Sequence, residues 1–137
     1  MNLIGKHCVI VGRSNLVGKP LVSLLEQKNC TVTLCHSKTQ NLREITRQAD
    51  IVICAIGKAK YFDVSYFKDN AIVIDVGINR DENNKIVGDV DIESLIDTNI
   101  QVTPTPGGTG VITTSQLMLN VVKAFYLQQG YEQLSTF

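Results

Sequence analysis

The sequence predicts an α/β fold in three layers: a mainly parallel, doubly wound sheet with helices on both faces. Short runs rich in Val and Ile alternate with stretches of helical periodicity, several runs end in glycine, and the first leads through a glycine-bounded loop into a helix start. Continuous apolar runs, rather than strictly alternating ones, mark strands covered on both faces, as helices on either side of a parallel sheet require.

Strands are expected at His7–Val11, at Thr31–Cys35, and over 51–55, 71–76 and 100–103. A helix is expected over 19–28, with Pro20 in its first turn, where a missing N–H costs nothing. A second is expected over 42–48, because Leu42, Ile45 and Ala49 recur at helical spacing. The polar segment 79–88, with Asn83 and Asn84 at its turn, reads as a hairpin or ordered loop. The last helix, over 111–128, carries Leu117, Met118, Leu119, Val121, Val122, Ala124, Phe125, Tyr126 and Leu127 around its whole circumference. A helix that is apolar all round is normally buried all round. One face is therefore expected on the sheet and the other against a partner, either another domain or another subunit.

The chain has 137 residues, the length of one domain spanning 1–137, and can bury a core without disulfides or metals. Thirteen Lys plus Arg balance thirteen Asp plus Glu. No surplus of positive charge exists for a phosphate backbone, so nucleic-acid binding is not expected. The apolar runs fall far short of the ~20 residues that span a bilayer, and no signal pattern opens the chain; a soluble, cytoplasmic protein is expected, with no membrane partner. Cys8, Cys30, Cys35 and Cys54 form no C-x-x-C pair and lie in or beside strand-like runs, which suits reduced structural thiols. With His7 and His36 as the two histidines, no metal centre is expected.

The chemistry concentrates in loops after strands. Gly12, Arg13, Ser14 and Gly18 lie between the first strand and the first helix, where backbone N–H groups and the helix dipole receive phosphate. Ser14 stands at the second glycine of the G-x-G-x-x-G pattern and Gly18 comes one residue late; a tight turn without a ligand is the alternative. After the second strand, where an NAD site commonly places Asp or Glu, the chain has Cys35, His36, Ser37 and Lys38. No carboxylate repels a 2′-phosphate there, and Ser37, Lys38 and Arg13 can donate to one, which favours NADP over NAD. The bland reading of these three is ordinary exposed polar residues. His36 reads as structural or as a neighbour of that phosphate. Gly57 and Gly77 close two further strands, where backbone can approach a cofactor or simply turn. The segment 103–114 sets two rigid prolines beside three glycines at a helix start, which suits an anionic or carbonyl-bearing ligand. No nucleophile and base stand together, so no catalytic residue is assigned.

Five segments in this order closely resemble the bifunctional methylenetetrahydrofolate dehydrogenase/cyclohydrolase family: Gly12 to Pro20, Cys35 to Thr39, Ile74 to Asn79, Gly88 to Asp91 and Thr105 to Gly110. The resemblance runs from about Gly5 to Phe125. It implies a Rossmann-type NAD(P)-binding domain in which Gly12, Arg13 and Ser14 hold NADP, Ser37 meets the 2′-phosphate and Ile78 packs near the nicotinamide. It also implies that the loop carrying Pro106, Gly107, Gly108, Gly110 and Thr113 closes over the folate side. The family's reaction is hydride transfer from 5,10-methylenetetrahydrofolate to NADP, then hydrolysis of the methenyl product to 10-formyltetrahydrofolate, in homodimers joined through this domain.

Two departures from the family stand out. Val111-Ile112-Thr113 follows Gly110, where the family usually has Pro-Met-Thr. No tyrosine here has lysine four residues on, so the family's catalytic Tyr-x-x-x-Lys motif is missing. The chain is accordingly expected to be the cofactor-binding half, with tetrahydrofolate engaged through the catalytic domain it lacks. A stand-alone dinucleotide-binding or scaffold domain, and a dehydrogenase of the shikimate type, are the alternatives.

Overall fold

The computed structural model describes residues 2–130. A five-stranded, wholly parallel sheet forms from β1 (His7–Val11), β2 (Thr31–Cys35), β3 (Ile51–Cys54), β4 (Ile72–Asp75) and β7 (Gln101–Val102), in the order β2-β1-β3-β4-β7. The strand order reverses at β1. Two crossovers carry α1 (Gly18–Glu26) and α2 (Leu42–Arg47). In register, Val11 faces Cys35 on one side and Cys54 on the other, so the three strands end together.

Period-two geometry sends alternate residues of these strands to opposite faces. Val9, Val11, Val52, Cys54 and Val73 pack with Phe62, Phe67 and Leu95, against which Leu42 and Ile45 of α2 rest. Cys8, Ile10, Ile51 and Ile53 form the other layer, covered by Leu21, Val22 and Leu25 of α1. Pro20 sits in the first turn of α1, as expected. All four cysteines are free and buried, and burial, with Cys30 nearby, pushes the Cys8 thiol up to about 12. The thiols behave as core apolar groups.

The segment 79–88 is a hairpin of β5 (Asn79–Arg80) and β6 (Ile86–Val87). Asp81 organises its turn: Oδ1 accepts from the amides of Asn83 and Lys85, and Asn84 takes a left-handed φ of 61°. Two short 3-10 turns, Val64–Tyr66 and Ile92–Leu95, are additions that the apolar periodicity does not show. A single turn is too short to display a period.

The last helix corrects one expectation. α3 (Thr109–Gln128) forms, but none of its residues is buried, and neither of its faces lies in the cores on the sheet. Val111, Ile112, Leu117, Met118, Val121, Phe125 and Leu127 are all more than half exposed. Ile72, Ile74 and Val76, on the same sheet face as α1 but towards β4, are only partly buried. The connection from β7 to α3 is a loop with two prolines and two glycines, Pro104, Pro106, Gly107 and Gly108. Among the described residues no helix is long and apolar enough to cross a membrane.

Candidate functional site: two clefts at the carboxyl edge of the sheet

Ligands in open parallel sheets lie beyond the carboxyl ends of the strands, beside the point where strand order reverses. Two clefts occupy that edge here. The first, of about 390 Å³, opens over the ends of β2, β1 and β3 and is lined by Gly12, Arg13, His36, Ser37, Lys58 and Tyr61, among others. The second, of about 350 Å³, lies beyond β4 and β7 and is lined by Ile78, Ile86 and the loop from Pro104 to Val111.

Gly12 is required by both conformation and space. Its φ is +129°, and a Cβ there would collide with the carbonyl oxygen of Ala55. Its own amide donates to Cys35 O (3.0 Å), which ties the loop to the end of β2. A Cβ on Gly18 would strike the Gly12 carbonyl, so Gly18 lets α1 start directly against the loop. Ser14 turns the loop: its Oγ accepts from Val17 N (3.1 Å) and its carbonyl from Lys19 N (3.0 Å). Among the described residues, no protein acceptor takes the amide hydrogens of residues 13–16. These amides lie in the exposed loop that leads into α1, an anion-receptive arrangement.

Of the sequence-singled residues, Gly12, Arg13, His36 and Ser37 meet in the first cleft, while Ser14, Gly18 and Lys38 lie outside its lining. His36 shapes the turn after β2, since its amide donates to Thr39 Oγ1 (2.9 Å) and its Nδ1 accepts from Lys38 N (3.1 Å). Ile78, 73% exposed, joins Pro106, Gly107, Gly108 and Gly110 in the second cleft. Thr113 lies on α3, and its Oγ1 donates back to Thr109 O (2.9 Å). The Thr105–Pro106 peptide is cis, and a Cβ on Gly108 would strike the Pro104 carbonyl.

A pair of buried aspartates holds the two clefts together, and sequence reasoning did not assign it. Asp89 is fully buried; its Oδ2 accepts from the amides of Ile56 (2.6 Å) and Gly57 (3.0 Å), and its Oδ1 from Lys58 N and Asn79 Nδ2 (both 2.9 Å). Asp75, also fully buried, accepts from the amides of Gly77, Asp89 and Val90. Its own amide donates to Thr103 Oγ1 and its carbonyl accepts from Thr109 Oγ1, so the same residue anchors the start of α3. Burial holds the Asp75 carboxyl above the usual carboxylate range, against the pull of the Val90, Asp89 and Gly77 amides. Gly77 and Gly88 are needed because a Cβ on either would strike these carboxylates. The available signal was two glycines, each one or two residues from an aspartate, in segments 75–79 and 88–91.

The arrangement fits an adenine dinucleotide. The first cleft combines Arg13, Ser37 and Lys58 with no lining carboxylate, the unpaired amides of residues 14–16 follow Arg13 in the same loop, and Gly12 leaves space for close approach of a ligand's phosphates.

Comparison with known proteins agrees. The family model of the tetrahydrofolate dehydrogenase/cyclohydrolase NAD(P)-binding domain matches residues 1–129. The bifunctional protein FolD of Lachnoclostridium phytofermentans is 56% identical over 118 residues, 86% of this chain and 42% of that protein. FolD of Rickettsia bellii is 57% identical over 124 residues, 90% of this chain and 44% of that protein. Among solved structures, the Campylobacter jejuni FolD dehydrogenase/cyclohydrolase superposes with a TM-score of 0.84 at 46% identity, covering 89% of this chain and 43% of that one. The Trypanosoma brucei FolD, complexed with NADP cofactor and inhibitor, gives 0.83 at 33% identity, covering 93% and 46%. The chain thus spans less than half the length of the relatives it matches. On fold and on the match across residues 1–129, the chain belongs to the tetrahydrofolate dehydrogenase/cyclohydrolase family, as its NAD(P)-binding domain.

Proposed function

We propose that this chain binds NADP, with the adenosine end in the first cleft and the nicotinamide end towards Ile78 in the second. The observation that carries the reading is the first cleft, where Arg13, Ser37 and Lys58 come together with no carboxylate. A 2′-phosphate finds donors there, whereas the carboxylate that receives the two ribose hydroxyls of NAD is missing. The Trypanosoma brucei relative was solved with NADP bound, which supports the same cofactor. Gly12 and the amides of 13–16 would receive the pyrophosphate; Ser14 and Gly18 hold that loop in shape.

NADP when bound supplies the hydride acceptor. The protein's share is to fix the position of its ring and keep one face open to the substrate. The apolar wall of Ile78 and Ile86, facing the loop from Pro104 to Gly110, is suited to that task. We propose that the whole enzyme oxidises 5,10-methylenetetrahydrofolate to the methenyl form and hydrolyses this to 10-formyltetrahydrofolate, as its relatives' dehydrogenase/cyclohydrolase names indicate. Tetrahydrofolate binding and the catalytic lysine come from a partner domain, the enzyme acts in the cytoplasm, and it pairs as a homodimer through this domain. This chain, without a Tyr-x-x-x-Lys motif, binds cofactor but does not turn over alone.

Reconstitution tests the proposal. Mixed with the separately purified catalytic half of a FolD relative, the chain should restore NADPH formation from 5,10-methylenetetrahydrofolate, followed by absorbance, while each half alone stays silent. A folded mixture of both halves with no turnover would refute the assignment.

A further inference from the structure

The loop after β3 carries two lysines, Lys58 and Lys60, and the structure treats them differently. Lys60 pairs with Glu93, at 3.5 Å. Lys58 pairs with no carboxylate among the described residues; its ammonium lies over the ring of Tyr61, 5.2 Å from the centroid. Its backbone is pinned, because Lys58 N donates to Oδ1 of the fully buried Asp89 (2.9 Å), while its side chain stays exposed. An anchored backbone with an exposed cationic tip is an arrangement that can reach an anion by side-chain rotation without moving the fold.

The tip belongs to the first cleft. Arg13 enters that cleft from the end of β1, Ser37 from the end of β2 and Lys58 from the end of β3, on the other side of β1 from Ser37. The lining has two cations and no carboxylate. A phosphate monoester carries about −1.5 to −2 charges at neutral pH, more than one guanidinium neutralises. The contact with Tyr61 is weaker than a charge-assisted bond to phosphate, so an incoming phosphate would draw the ammonium off the ring.

We propose that Lys58 is a further specificity-determining residue, supplying the second positive charge, beside Arg13, that selects an adenine nucleotide phosphorylated at its 2′ position. The inference rests on the NADP reading above. It assigns to the β3 loop part of a discrimination that the sequence placed only on the β1 and β2 loops.

Calorimetric titrations of the whole chain with NADP, NAD, adenosine 2′,5′-bisphosphate and 5′-AMP test it, with the wild type compared with Lys58→Met and Lys58→Arg. Methionine keeps much of the aliphatic stem and removes the charge. Affinity of Lys58→Met for NADP and for the 2′,5′-bisphosphate should fall by about tenfold or more, with NAD and 5′-AMP changing by less than about twofold, and Lys58→Arg should retain most of the preference. Equal losses for NADP and NAD would overturn the proposal, showing that Lys58 serves a part common to both cofactors. Unchanged NADP affinity in a folded Lys58→Met variant, verified by circular dichroism, would overturn it too while leaving the cofactor reading intact. A folded wild type that binds none of the four ligands would overturn the cofactor reading, and this inference with it.

Discussion

Gly12 shows how much of a loop's shape is decided by a single missing atom. Positive φ and contact with the Ala55 carbonyl leave no room for a Cβ, so Gly12→Ala should cost about 1–3 kcal/mol in urea unfolding and weaken NADP and NAD alike. Arg13 is different in kind. It is exposed and makes no ion pair among the described residues, so Arg13→Ala should leave stability within about 0.5 kcal/mol of wild type. NADP affinity should fall by about tenfold or more and NAD affinity far less; equal losses would show that Arg13 does not read the 2′-phosphate. Asp89 acts from beneath. Replacing one carboxylate oxygen by an NH₂ group sets it against N–H donors, so Asp89→Asn should destabilise by about 1.5–3 kcal/mol and speed amide exchange at Ile56, Gly57 and Lys58.

Among the elements, the strands and the first two helices were legible because each repeats its apolar period. The sequence places β1 and β2 at the observed ends, and β3, β4 and β7 within two residues of them. Segments 55–71 and 88–100 were not legible. Their order comes from Asp75 and Asp89 accepting amides distant in sequence, and from Phe62 packing with Tyr61, Tyr66 and Phe67, none of which leaves a local period. Of the first cleft's lining, Gly12, Arg13 and Ser37 were readable because they follow strands directly, whereas Lys58, and Asp89 beneath it, were not, because their placement depends on a fold-back of the chain. α3 was legible as a helix and not in its placement, since an apolar surface does not say what will cover it. Because α3 buries no side chain, Leu117→Gln with Val121→Gln should alter unfolding free energy by less than about 0.5 kcal/mol, whereas Phe62→Ala should cost about 3–5 kcal/mol.

At the start of β3, Asp50 ties the amino-terminal edge of the sheet together. Its Oδ1 accepts from Lys68 Nζ (2.6 Å) and its Oδ2 from His7 N (2.9 Å), and these contacts, the Lys68 bond foremost, hold the carboxyl below its usual range. A lowered native value means that the contribution is present above the ordinary carboxylate range and is lost as pH falls through the native one. The stability gap between wild type and Asp50→Asn, measured by urea midpoint, should therefore be open at pH 7 and close progressively below about pH 4.

For the molecule as a whole, the two clefts share one sheet edge, linked through Asp75 and Asp89, while α3 and the partly covered residues around Ile74 stay open. The proposed function puts cofactor binding in the described domain and turnover elsewhere. The most direct test is a calorimetric titration of the unmodified chain with NADP and, separately, NAD. The structure predicts one site per chain, with NADP bound at least about tenfold more tightly than NAD. A folded chain that binds both equally, or neither, would contradict the assignment.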